Sequence, residues 1–132
     1  MENTVRLDLD VRSFKYPDQT VALSGIRVSI RSGEFTGILG SNGSGKTTLL
    51  KVMDGLLRDV DGTVLIDGIE TKRLAPKEIY RKVGLVFQNP DEQLFAPTVF
   101  EDVSFGPLNM GLSEKETSER VLSSLRNVDM EQ

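Results

Sequence analysis

Nine residues, "GSNGSGKTT" from Gly40 to Thr48, bring together the side-chain types that polyphosphate chemistry requires. They match the spacing G-x-x-x-x-G-K-[ST], with an apolar run before them and a helical pattern after. Gly40, Gly43 and Gly45 allow backbone angles closed to other residues, so consecutive N–H groups can turn inward around an anion, with Ser41, Asn42 and Ser44 completing the loop. A helix N-terminus alone is worth only about 0.3–1 kcal/mol to an exposed anion, so several donors and a cation must act together. Lys46 supplies the cation and is expected to reach β- and γ-phosphates. Thr47 is placed to offer its hydroxyl to Mg²⁺, and Thr48 with backbone amides to steady the α/β region. Such a site positions and neutralises rather than reacting covalently. An ordinary strand-to-helix turn explains the glycines, and a solvated helix start explains Lys46, but neither explains Gly, Lys and Thr in register.

The elements that must hold this loop are legible as periodicities. "VRLDLDVRSF" alternates Val5, Leu7, Leu9 and Val11 with charged residues, the pattern of a half-buried strand, and "KYPD" reads as a turn. A second alternating run sets Ile26, Val28 and Ile30 on one face, and "RSGE" leads into "FTGILG", read as a short buried strand. "SGKTTLLKVMDGLL" has Leu49, Leu50, Met53 and Leu56 or Leu57 at helical spacing. "GTVLIDG" reads as a strand closed by the Asp67-Gly68 turn. A short helix around "APKEIYRK" has Pro76 in its first turn, and the apolar "VGLVF" reads as a further buried strand. Ser113 and Glu116 form a capping-box pattern for a last helix that buries Val121, Leu122 and Leu125.

Composition narrows the chemistry further. The 132 residues suffice for one core, and 38% apolar with 27% charged residues is ordinary globular usage. No apolar run approaches the ~18 residues of a spanning helix, and the start "MENTVRLDLD" lacks a signal-peptide pattern, so a cytoplasmic location is expected. The chain has no cysteine and no histidine, which removes disulfides, thiolate metal sites and the usual neutral-pH general base. A net charge of −4 argues against a broad nucleic-acid-binding surface.

"GSNGSGKTTLLKVMDGLL", then "GTVLIDG", then "VGLVFQNPDEQLFAPTVFEDVSFGPLNMGL" resemble, in that order, the first half of the nucleotide-binding subunit of an ABC transporter. The stretch after Gln88 is most similar to the energy-coupling-factor type, associated with uptake of cobalt, nickel or vitamins. The resemblance implies an α/β phosphate-loop fold of the ABC ATPase kind, an antiparallel β-subdomain joined to the phosphate-loop strand and helix. Residues 1–132 would be the N-terminal part of a single ATP-binding domain. ATP and Mg²⁺ are the implied ligands, and the cytoplasmic face of the membrane the implied location.

Three further positions gain roles from the resemblance. Tyr16 in "FKYPD" matches the aromatic residue that stacks on adenine, although an isolated Tyr in a turn is more often a packing residue. Gln88 matches the glutamine near Mg²⁺ and the γ-phosphate that moves with the transmembrane partner. Its neutral amide can donate and accept without adding charge; a lone Gln at a strand end is otherwise simply solvent-exposed. Residues 89–112 would receive a coupling helix of a transmembrane subunit. There Pro90, Pro97 and Pro107 interrupt regular structure, and Leu94, Phe95, Val99, Phe100, Phe105 and Leu108 give apolar surface edged by Asp91, Glu92, Glu101 and Asp102. The bland alternative packs these apolar residues inward under a long loop.

The family pattern continues into an LSGGQ-like signature, a Walker B strand with its catalytic glutamate, and a switch histidine, none of which stands in "GLSEKETSERVLSSLRNVDMEQ". The implied protein pairs with a second ATP-binding subunit, homo- or heterodimeric. The 132 residues alone are expected not to complete the hydrolytic cycle, and apolar neighbours of the phosphate-loop strand are expected to face water. A different class remains open: a non-catalytic nucleotide-binding fragment that pairs or competes with a full subunit. A soluble phosphate-loop kinase or GTPase fits less well, since there is no Asn-Lys-x-Asp guanine reader and no account of "VFQNPDEQLF".

Overall fold

The computed structural model describes residues 4–130. The chain divides into two compact units, Met1–Leu85 and Val86–Gln132. In the first, strands β1 (Val5–Lys15), β2 (Val21–Arg31), β3 (Asp61–Ile66) and β4 (Ile69–Glu70) form one antiparallel sheet in the order β2-β1-β3-β4. The alternation in β1 and β2 does what a period of two dictates. Leu9 and Val11 are buried, Ile26, Val28 and Ile30 pack against the same core, and the charged partners line the opposite face. There Arg27 pairs with Asp10 at 3.0 Å, Arg12 with Asp61, and Ser29 bonds Asp8; exposed pairs of this kind add little to stability. Irregular pairing near the end of β1 lets Phe14 as well as Val11 point inward.

Helix α1 (Lys46–Met53) covers the buried face, adding Leu49, Val52 and Met53 to the core of Leu9, Val11, Phe14, Leu23 and Val64. Each such side chain contributes about 1.5–3 kcal/mol when fully buried. The helix is shorter than its sequence pattern. It stops before Asp54, so Leu50 and Leu56 are exposed while Val52 takes an inward position. Burial pushes the Asp54 carboxyl above its ordinary value, against the opposing effect of a bond accepted from Leu56 N at 3.0 Å. Asp67 and Gly68 make the β3–β4 turn as expected, and helix α2 (Pro76–Tyr80) begins with Pro76 in its first turn. Its Ile79 joins Ile66 and Leu74 in a second small cluster.

Two expected strands do not form. Residues 35–40 and 83–87 are irregular, and no described strand pairs with them. A strand needs hydrogen-bonded neighbours, and without them these apolar side chains meet solvent: Phe35 is 104% exposed, Leu39 97% and Val86 86%. Ile38 alone of its segment packs against the core.

The second unit contains a 3₁₀ turn at Pro90–Glu92 and helices α3 (Val99–Asn109) and α4 (Glu114–Arg126). Thr98 caps α3, accepting from Glu101 N at 3.2 Å. Pro107 does not break this helix as expected; it lies near the C-terminal end of α3, where the helix continues to Asn109. The Ser113–Glu116 capping box forms, and its hydrogen bonds hold the Glu116 carboxyl below its usual range. Val121 is fully buried where α4 packs against α3, but Leu122 is exposed.

Candidate functional site

The phosphate loop lies between β2 and α1, and two contacts in the first unit fix it. Gly45, at the N-cap of α1, has φ of 90° and sits so close to β2 that a Cβ there would lie 2.5 Å from the Ala22 carbonyl oxygen. No other residue type meets both conditions. Tyr16, at the β1–β2 turn, shares a 2.9 Å hydrogen bond between its hydroxyl and that of Thr48 in α1. Its ring meets Phe14 edge-on at 5.1 Å and is half-buried.

The remaining loop residues are open to solvent. Gly40, Ser41, Asn42, Gly43 and Ser44 are exposed, and Ser44 N donates to Ser41 O at 3.2 Å to turn the chain. A Cβ at Gly40 would lie 2.5 Å from the Ser44 hydroxyl, which would have to turn aside to admit it. Lys46 folds back: its Nζ donates to Gly40 O at 2.9 Å and Ser41 O at 2.7 Å. The ammonium thus sits against the loop backbone. Thr47 is exposed in the first turn of α1, whereas Thr48 is buried. The donor set fits a polyphosphate: a cation against a glycine-rich turn, an exposed hydroxyl beside it, and a helix N-terminus behind.

Within the first unit the structure therefore brings together Tyr16, Gly40 to Gly45, Lys46, Thr47 and Thr48. Gln88 belongs to the second unit and is exposed there, just before Asn89, whose side chain accepts from Asp91 N at 3.2 Å. Two contributors escaped the sequence: Ala22, acting through its carbonyl, and Phe14, which braces Tyr16. Ala22 carries no signal, because any residue has that carbonyl; Phe14 was visible only as an apolar residue near the end of β1.

In the second unit Leu94, Phe95, Val99, Phe100, Phe105 and Leu108 are exposed rather than packed under a loop. Phe95 meets Phe105 edge-on at 4.7 Å. Phe100, Phe105 and Leu108 line a groove of about 480 Å³ between α3 and α4, with Glu101 and Glu114 on its wall. Asp102, expected at an acidic edge, instead accepts from Phe95 N at 3.1 Å and Ala96 N at 3.0 Å. Orphaned backbone donors before α3 claim it.

A phosphate loop feeding a helix beside an antiparallel sheet is the α/β arrangement of the ABC ATPase cassette. The chain belongs to the ABC transporter family, whose model matches residues 23–132. It is 63% identical over 126 residues to a Geobacter sulfurreducens protein named as an ABC transporter ATP-binding protein, covering 96% of this chain and 45% of that one. It is 50% identical over 120 residues to the energy-coupling factor transporter ATP-binding protein EcfA of Methanocaldococcus jannaschii, covering 89% and 43%. Among solved structures it is similar to cbiO1 of Clostridium perfringens, part of the ABC transporter complex cbiONQ, with a TM-score of 0.78, 39% identity and coverage of 98% and 52%. The chain thus spans less than half the length of these curated relatives. No helix among the described residues is long and apolar enough to cross a membrane.

Proposed function

We propose that this chain supplies the nucleotide-binding half-site of an ATP-hydrolysing subunit that powers an energy-coupling-factor or cobalt-type importer, with cobalt, nickel or vitamins as the cargo class. The observation that carries it is the Lys46 ammonium held at the Gly40–Ser41 edge of a loop that Gly45 pins against β2. ATP would be held by Gly40, Ser41, Asn42, Gly43, Ser44, Gly45, Lys46 and Thr48, with Tyr16 offering a ring to the base. Mg²⁺ would be held by the Thr47 hydroxyl, where it would neutralise charge on the phosphates. Lys46 orients and neutralises the terminal phosphates, and Gln88 engages water without adding charge.

The apolar groove and the exposed residues of 89–112 support docking of a transmembrane subunit, which would place the protein peripherally at the cytoplasmic face of the membrane. Cassettes of this kind act in pairs, so a second ATP-binding subunit is the other proposed partner; the similar MJ0796 cassette, with a TM-score of 0.72 and 30% identity, is dimeric. The test is ATP turnover by the complete subunit with its membrane partners, against the same assembly carrying Lys46→Ala. Equal turnover sinks the proposal. One observation favours a second reading, a non-catalytic nucleotide-binding fragment: neither 35–40 nor 83–87 finds a strand partner among the described residues. ATP turnover by the 132-residue chain itself at an ordinary transporter rate would exclude it.

A further inference from the structure

Tyr16 and Thr48 are 32 residues apart, yet their hydroxyls lie 2.9 Å from each other in a part-buried setting. One is the ring offered to a base; the other follows the two residues assigned to phosphate and metal. Tyr16 is held on three further sides. Its backbone N donates to Thr20 O at 3.0 Å, its carbonyl accepts from Gln19 N at 2.9 Å, and Phe14 presses edge-on against the ring. The ring's far end would still swing about its side-chain torsions if nothing held the hydroxyl. Thr48 is suited to hold it because it is buried in the first turn of α1, flanked by Leu49 in the core.

We infer that the Tyr16–Thr48 hydrogen bond is a positioning latch that sets the reach between base platform and phosphate cradle, so that the site favours a phosphate chain carrying a base over a bare one. The inference rests on the ATP-site reading above. A hydroxyl both donates and accepts. When Thr48 accepts the Tyr16 proton, its own proton is left for a phosphate oxygen, so the same bond that steadies the ring leaves Thr48 able to serve the cradle. Bonds in such a chain polarise one another. Tyr16 is then a positioning residue for the ligand's base as well as its platform, and its hydroxyl, not only its ring, matters.

The test measures affinity for ATP and for inorganic tripolyphosphate by calorimetry on the full chain, for wild type, Tyr16→Phe, Thr48→Val, the double variant and Thr48→Ser. Loss of one part-buried hydrogen bond corresponds to roughly a two- to tenfold change. The expected result is a fall of that size in the ATP-to-tripolyphosphate affinity ratio for Tyr16→Phe and for Thr48→Val. The double variant should show no larger fall than either alone, because both delete one shared bond. Thr48→Ser keeps the hydroxyl and should keep the ratio, which a simple packing role for the Thr methyl would not predict. An unchanged ratio in both single variants, or falls that multiply in the double, overturns the latch while leaving the ATP site standing. A wild-type chain that binds neither ligand overturns the ATP-site reading and the latch with it.

Discussion

The Lys46 ammonium lies 2.9 Å from the Gly40 carbonyl oxygen and 2.7 Å from that of Ser41, so the cation of the loop is bonded to the loop's own backbone. On the proposed reading phosphate oxygens would have to compete for those protons, and would win because the acceptor is then charged. Lys46→Met keeps the stem and removes the charge. Hydrogen bonds to charged groups contribute about 1.5–3 kcal/mol, so ATP affinity should fall roughly ten- to a hundredfold, read by calorimetry. Unchanged affinity would mean that the phosphates bind elsewhere.

Gly45 and Gly43 both have positive φ, 90° and 80°, but only Gly45 is crowded, with Ala22 O at 2.5 Å from a built Cβ and nothing within 4 Å at Gly43. Gly43→Ala should cost about 1–2 kcal/mol from the left-handed backbone alone. Gly45→Ala should cost more, because β2 or α1 must also move. Urea midpoints rank the two; equal losses would contradict the close approach.

Asp67 accepts a hydrogen bond from Lys82, and Arg6 lies 3.1 Å away; Lys82 first and Arg6 with it hold the carboxyl below its ordinary 3.8, against a partial opposing effect of burial. Because the folded value is depressed, the stabilisation is complete above the unfolded value and is lost as pH falls through the folded one. Asp67 has φ of 50°, which Asn tolerates, so Asp67→Asn removes the charge without straining the turn. The variant should unfold at lower urea than wild type at pH 7, and the gap should close at a pH well below 3.8. A gap that persists in acid would assign the loss to something other than the ion pairs.

Ile79 is fully buried, the least exposed member of the small cluster with Ile66 and Leu74. Ile79→Ala should destabilise the first unit by about 2–5 kcal/mol. Since the phosphate loop packs on the other cluster, tripolyphosphate affinity at low temperature should be retained. Loss of binding in a still-folded variant would show that the two clusters are coupled.

Much of this was legible in the sequence because it depends on local rules. The alternation of β1 and β2, the Asp67-Gly68 turn, Pro76 at the start of α2 and the Ser113–Glu116 cap each follow from interactions within a few residues, and each formed. The phosphate loop was readable for the same reason. "FTGILG" and "VGLVF" were misjudged because an apolar run states a wish for burial without naming the neighbour that would grant it. Leu50 and Val52 exchanged roles because α1 is only two turns long, too short for periodicity to choose its inward face.

The amino-acid sequence by itself determined the chemistry of the loop, since glycine, lysine and threonine in register depend on backbone freedom, charge and hydroxyl groups that no context alters. It also determined which faces of β1 and β2 would be wet. Only the tertiary structure decided that Gly45 must yield to the Ala22 carbonyl and that Tyr16 reaches Thr48 across 32 residues of chain. Those contacts arise where the β1–β2 hairpin folds back on α1, and proximity made by packing leaves no mark in the spacing of the residues it joins.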